Sequence, residues 1–250
     1  MKDNKGFLLS MSLKSTENIN WSQYPFNVSS IRHLKNLDFH PAVTFLIGEN
    51  GTGKSTLIEA LAISQRFNPE GGTKNFTFST IDTHSVLFEY LKVVKSDRYM
   101  KDGFFLRGES FYNMASYIDA IQSSDNRMLK SYGNRSLHNQ SHGESFFALM
   151  KYRFNKEGLY ILDEPETALS PQKQIAMLML IDELVNKGSQ FIISTHSPIL
   201  LAYPNAIIYE IDKKQGLKKT IYEKSDIYTT TIDFLNNYQI FLKHMDIKTP

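Results

Sequence analysis

The chain has 250 residues, of which 41% are hydrophobic and 22% charged, the balance of a globular protein with a substantial core. Its formal net charge of +2 gives no overall field pointing to nucleic acid. The absence of cysteine excludes disulfides, Cys-ligated zinc and thiol catalysis and fits a reducing cytoplasm. No apolar run is long enough for a transmembrane segment, and the polar start from Met1 to Gly6 is expected not to be a signal peptide.

In chain order, Phe7–Leu13 reads as a strand and residues 15–23 as a polar loop. Val43–Ile47 is a short β-rich run, followed by a helix predicted over 56–65. Asn68 to Phe78, with Pro69, Gly71 and Gly72, reads as a surface loop. Val86–Val94 and Gly103–Arg107 read as strands, Phe111–Lys130 as a helix and Ser131–Gly143 as a polar, flexible segment. From residue 144, Phe146, Phe147, Leu149, Met150 and Phe154 give a helix with one apolar face. Leu159–Leu162 and Phe191–Ser194 fit buried parallel strands, with a helix over Pro171–Val185 between them. Ile207–Ile211 and Leu217–Tyr222 read as a hairpin, and residues 231–245 as a terminal helix. The alternation of strands and helices argues for an α/β sheet, with no internal repeat and no coiled-coil heptads.

Between the strand at 43–47 and the helix after it run Gly48, Glu49, Asn50, Gly51, Thr52, Gly53, Lys54, Ser55 and Thr56. They fit G-x-x-x-x-G-K-[ST], a loop that gathers backbone N–H groups around a polyphosphate at a helix start. In that arrangement Lys54 reaches the β- and γ-phosphates and Ser55 holds Mg²⁺.

Leu159–Leu162 runs into Asp163, Glu164, Pro165 and Glu166. Carboxylates leaving a buried strand stand at the sheet edge where ligands bind in open α/β folds. Asp163 is placed to reach the Mg²⁺ held by Ser55, and Glu164 to polarise a water for attack on a γ-phosphate. A plain acidic turn is the competing reading. His196 closes the next strand 33 residues later, positioned to sense the third phosphate or hold the attacking water, or else serving as an ordinary structural histidine. Ser141, Gly143 and Glu144 open the amphipathic helix: either an anion site from N–H groups and the helix dipole, or a capping box of Ser141 with Glu144.

The GxxxxGKST loop, the LYILDEPE strand end, the ALSPQ turn and the STHSP strand end resemble an ABC-type ATPase domain, in matching order from about residue 40 to about 200. GENGTGKSTLIEALA, GFFLRGESF and SHGESF are similar more narrowly to the stand-alone bacterial AAA/SMC-like ATPases. The resemblance implies an α/β P-loop NTPase of ABC-ATPase type, with a mixed or parallel sheet core, an antiparallel β portion and a helical signature subdomain. It implies a single domain over 1–250, with the nucleotide core at about 1–66 and 155–250 and the signature lobe at about 104–154. Gln140 to Glu144 then stands as the signature motif, departing from LSGGQ at Gln140, His142 and Glu144. Ala168–Pro171 takes the place of the D-loop, and His196 that of the switch histidine. In the Q-loop position, Glu109 replaces the metal-touching Gln and Arg107 is offered as a phosphate contact. Tyr24 or Phe26 is expected to stack on adenine and Arg32 to lie near the base or phosphates, with plain packing the alternative for each.

The resemblance further implies ATP and Mg²⁺ as ligands, hydrolysis to ADP and phosphate, and a cytoplasmic homodimer closed around two nucleotides. Three roles compete: a switch or motor for a protein or nucleic-acid partner in repair or defence, the ATP-binding subunit of an ABC transporter, and an ATP-gated module with little turnover. Only 86 residues separate Lys54 from Ser141, without heptads, so the chain resembles an SMC head without arms. The basic clusters Lys92, Lys95, Arg98, Lys101 and Lys213, Lys214, Lys218, Lys219 read as solvated hairpin ends in preference to a phosphate-backbone surface.

Overall fold

The computed structural model describes residues 5–14, 17, 19–69, 71–73, 85–108 and 142–247. In chain order its elements are β1 (Leu8–Leu13), α1 (Ser29–Arg32), β2 (Leu37–Asp38), β3 (Val43–Gly48), α2 (Lys54–Ser64), α3 (Leu87–Tyr90), β4 (Leu91–Lys95) and β5 (Asp102–Arg107). There follow α4 (His142–Arg153), β6 (Gly158–Asp163), α5 (Pro171–Asn186), β7 (Gln190–Ser194), α6 (Pro198–Leu201), β8 (Ile207–Asp212), β9 (Gly216–Thr220) and α7 (Asp226–His244). The helix expected over 111–130 lies outside the described residues.

Six strands form the central sheet in the order β5-β6-β7-β3-β8-β9, parallel except for the β8–β9 hairpin. Strands β6 and β7 are buried at every position, because helices or a second sheet cover both faces. Alternate residues feed two cores. Phe45, Tyr160, Leu162, Phe191 and Ile193 pack with α4, α5 and α6, whereas Leu46, Ile161 and Ile192 pack with α2 and the small sheet. That small sheet is antiparallel, in the order β2-β1-β4. The whole is an α/β fold with a mixed, largely parallel core and an antiparallel β portion. Residues 104–107, grouped by sequence with the signature lobe, belong to the central sheet through β5.

The strand expected over 86–94 begins only at Leu91. Leu87 to Tyr90 form a helical turn, with the Leu87 N–H donating to Ser85 Oγ at 3.2 Å. Leu87 and Leu91 are both buried, a four-residue step that an apolar run of this length hides. The terminal helix starts at Asp226, earlier than expected, because Ser225 Oγ accepts from the Tyr228 N–H and caps it.

Side-chain hydrogen bonds join the two sheets, Tyr209 reaching Asp38 and Gln190 the start of β1. Gln190, fully buried at the start of β7, accepts from the Phe7 and Leu8 N–H groups at 2.8 and 2.9 Å. Its Nε2 donates to the Leu8 and His40 carbonyls, both at 2.9 Å. A buried amide is tolerable here because all its hydrogen-bonding capacity is used. Replacing it by leucine leaves those backbone groups without their partner. Gln190→Leu is expected to lose at least about 3 kcal/mol of unfolding free energy in a denaturant titration.

Candidate functional site

Parallel pairing brings the carboxyl ends of β6, β7, β3 and β8 to one edge of the sheet, where Asp163 registers with Ser194 and Gly48 with Ile211. The loop after β3 turns there into α2. Its backbone depends on glycine at two places. Gly48 has φ +142°, and a Cβ on it would stand 2.5 Å from the Ile211 carbonyl oxygen. Gly53 has φ +91°, and its Cβ would meet Val28 Cγ1 at 2.3 Å. Beside Gly51, by contrast, the space is open. Thr52 is buried, its Oγ1 donating to the Glu49 carbonyl at 2.8 Å and its own carbonyl accepting from the Ser30 N–H at 3.2 Å. The Lys54 ammonium donates to the Gly48 and Glu49 carbonyls at 2.8 and 3.1 Å. Burial pushes its pKa down, opposed by the nearby carboxylates of Glu164, Asp163 and Glu166.

Asp163, at the end of β6, is the hub. Its Oδ1 accepts from Ser55 Oγ at 3.2 Å and from Ser194 Oγ. Arg107, from the end of β5, brings its Nε to 3.8 Å from Asp163 Oδ2 while its Nη1 donates to Glu59 at 2.7 Å. Burial nonetheless holds the Asp163 carboxyl above the usual carboxylate range, with Ser194 and Arg107 only partly offsetting it. Glu164 then leaves the strand in the left-handed region, φ 48°, strained for a residue with a side chain. Its N–H donates to the Ser194 carbonyl at 3.1 Å, and the Glu164 carbonyl accepts from Thr167 Oγ1 at 2.9 Å.

His196 follows β7. Its Nε2 stands 3.3 Å from Glu164 Oε1, misaligned for a hydrogen bond, and its N–H donates to Glu166 Oε1 at 2.6 Å. Burial and the Lys54 charge push the imidazole pKa down, opposed by Glu164. Burial likewise raises that of Glu166. Among the described residues, Glu166 Oε2, His196 Nε2 and Arg107 Nε are buried without hydrogen-bond partners.

The structure therefore brings Lys54, Ser55, Asp163, Glu164 and His196 to one place. Glu49 turns away to the surface, its carboxylate 2.6 Å from Lys213 Nζ, and Asn50 is exposed. Thr56 Oγ1 lies 3.3 Å from the Tyr24 hydroxyl. Tyr24 is 62% exposed and stays available to a planar ligand. Phe26 does not: it is buried, edge-on to Trp21 and Tyr90, and belongs to the core. Arg107, offered as a phosphate contact, pairs with Glu59 and lies beside Asp163. Arg32 is exposed on α1, the turn whose Ser30 N–H bonds the loop. Gly143 sits in the first turn of α4, where a Cβ would press 2.5 Å from the Ala168 carbonyl oxygen of the same chain. Glu144 is exposed beside it. Ser141 and Glu109 lie outside the described residues. The late and early basic clusters contain ion pairs, among them Lys219 with Asp38 and Lys101 with Glu157, and the early cluster lies on β4 and the segment leading to β5, strands of different sheets that form no hairpin.

Three residues that sequence reasoning passed over help build the site. Ser194 fixes Asp163, and Glu166 holds the His196 backbone. Gln174 accepts from Ser197 Oγ at 2.6 Å and donates to the Leu169 carbonyl at 3.0 Å, tying the turn after His196 to the turn after Glu166. A cleft of about 720 Å³ adjoins the loop, lined by Gly48, Thr52, His196, Asp212 and Lys214 among others. Neither Ser55 nor Asp163 lines it, so it borders their contact without including it.

The donor set fits Mg²⁺. A hydroxyl and a carboxylate meet at 3.2 Å as hard oxygen ligands, and Mg²⁺ is held by one or two carboxylates plus substrate phosphates and water. Burial is what raises the Asp163 and Glu166 carboxyls.

Two family models match the chain: an AAA ATPase domain over residues 119–201, and a domain described as "AAA domain, putative AbiEii toxin, Type IV TA system" over residues 43–127. An uncharacterized ABC transporter ATP-binding protein of Haemophilus influenzae is 27% identical over 217 residues, spanning 77% of this chain and 81% of that protein. Among solved structures, the SMC head domain from Thermotoga maritima is similar with TM-score 0.46 and 18% identity, over 86% of this chain and 98% of that one. The cbiO1 protein from Clostridium perfringens, part of an ABC transporter complex, is similar with TM-score 0.43 and 18% identity, over 83% of this chain and 89% of that one.

The Ser194 hydroxyl orients Asp163 without being a ligand itself. Ser194→Ala is expected to weaken Mg²⁺-dependent nucleotide binding by about 10-fold, measured by titrating Mg²⁺ against a fluorescent ATP analogue, with the thermal unfolding midpoint little changed.

Proposed function

We propose that this chain is a P-loop ATPase of the ABC/SMC-like kind, binding Mg·ATP at the loop after β3 and hydrolysing it to ADP and phosphate. The observation that carries the reading is the convergence at one sheet edge of Lys54, the Ser55–Asp163 contact and the Glu164–His196 pair. Lys54 is held ready by two carbonyls that a γ-phosphate can outcompete for its charge. When bound, Mg²⁺ supplies charge neutralisation on the phosphates, with Ser55 and Asp163 as its protein ligands. Glu164 takes a proton from the attacking water, and His196, kept neutral by burial and by Lys54, orients that water or the γ-phosphate.

The signature segment around Gly143 and Glu144 lies against the Ala168 turn of its own chain. A second copy brings its own such segment to the nucleotide, so we place hydrolysis in an ATP-closed homodimer. The chain then acts as a switch for a protein or nucleic-acid partner. The toxin–antitoxin wording of the family model over 43–127 supports the defence side of that reading. The name of the Haemophilus influenzae relative favours a second reading, the ATP-binding subunit of a transporter. DNA-stimulated turnover that fades with added salt supports the first, and co-purification with a permease the second.

Glu164→Gln is expected to lower steady-state ATP turnover by about 100-fold or more while still binding nucleotide. In sedimentation velocity the same variant should gain a dimer peak with Mg·ATP. Turnover equal to the unmodified chain's, or sedimentation unchanged by Mg·ATP, contradicts the respective assignment. Lys54→Ala should bind neither ATP nor its analogues measurably at micromolar protein.

A further inference from the structure

Asp163 and Glu164 have parts in hydrolysis; Glu166, next but one along the chain, has none so far. It belongs to the turn Pro165–Ala168, which begins on a proline and closes where the Leu169 N–H donates to the Glu166 carbonyl at 2.8 Å. The side chain crosses from this turn to the end of β7. There Oε1 accepts the His196 N–H at 2.6 Å, while among the described residues Oε2 is buried with no hydrogen-bond partner.

The backbone on either side of His196 shows what that bond does. The Thr195 N–H donates to the Leu46 carbonyl at 3.2 Å and so continues the sheet. The Ser197 N–H is taken by Thr195 Oγ1 at 3.0 Å. Between them His196 lies beyond the sheet, and the acceptor of its N–H is a side chain from another turn. The imidazole has less support still. Its Nε2 makes no aligned hydrogen bond, so the direction of the ring follows from where its backbone is held. Gln174 fastens Ser197, the next residue, and does not touch His196. A hydroxyl or an amide can satisfy a single N–H. A carboxylate with one oxygen idle and buried is a costly choice for a bond that merely closes a turn. It also leaves the same turn as Glu164, so a bond from Glu166 to His196 fastens the ring to the very segment that carries Glu164.

We propose that Glu166 is a positioning residue for hydrolysis: it holds the His196 peptide so that the imidazole stays in register with Glu164. The proposal deepens the ATPase reading and rests on it for its kinetic part alone. In steady-state assays with Mg·ATP, Glu166→Ala should lower kcat about 10-fold and leave KM within about 2-fold, because the displaced ring acts in the chemical step. Glu166→Gln keeps an acceptor oxygen at the same reach and should restore kcat to within about 3-fold of the unmodified chain. Glu166→Asp falls one methylene short and should resemble Glu166→Ala. In the His196→Ala background, Glu166→Ala should bring no further loss, since its effect runs through the ring. An additive loss there, or Glu166→Gln as slow as Glu166→Ala, overturns the proposal. The ring can also be followed without ATP. The chain has seven histidines, few enough to resolve each isotope-labelled imidazole by NMR and to assign that of His196 by its loss in His196→Ala. Its resonance should move in nucleotide-free Glu166→Ala and Glu166→Asp and coincide with that of the unmodified chain in Glu166→Gln. A resonance that stays in place in the alanine and aspartate variants overturns the proposal. Absence of ATP turnover in the unmodified chain removes the ATPase reading instead, and the imidazole resonance then decides by itself whether Glu166 holds His196.

Discussion

A carboxylate buried at the end of a central strand is the constraint around which this chain is arranged. Asp163 has lost most of its water and so must find polar partners within the fold. It finds them on three other elements: Ser55 on α2, Ser194 on β7 and Arg107 on β5. Each contact serves two ends, easing the cost of burial and fixing the element that supplies it. The start of α2, and with it Lys54, is thereby registered against the sheet edge. The partners do not suffice to restore an ordinary acidity, because burial outweighs the hydroxyl and guanidinium contacts.

The surrounding architecture keeps that edge rigid. Strands buried on both faces and closed by two cores leave little freedom at their carboxyl ends. Gln190 locks the antiparallel sheet onto the same strand that ends in Ser194. Gln174 links the two turns that follow Asp163 and His196, so displacement of one is felt by the other. Strain is concentrated at Glu164, whose left-handed backbone is held by bonds on both sides.

Much of this was legible in the amino-acid sequence because it is local. The glycine loop, the apolar run into Asp163 and Glu164, and the strand ending before His196 each occupy fewer than about ten consecutive residues, within reach of periodicity and turn chemistry. What escaped depends on register between distant segments. Ser194 matters because β6 and β7 pair so that it lies beside Asp163, and no spacing rule in one dimension contains that. Arg107 pairs with Glu59 across 48 positions, and Gln174 with Ser197 across 23. Phe26 was left between two readings for a related reason: an aromatic upstream of the loop can face a ligand or the core, and its packing on Tyr90 decides for the core. The turn at 87–90 was hidden because a short apolar run fits either period.

The way α7 is attached has a mechanical consequence. Its first N–H hangs on Glu210 of β8, and β8 lies directly beside β3, with Ile211 pressed against Gly48 at the root of the phosphate loop. A helix of this length projects about 28 Å, so a tilt of about 10° at its base sweeps the far end by about 5 Å. The Ser225 cap and the Tyr222–Tyr228 ring contact brace the same base, so the tilt of the whole helix is set within one turn of β8.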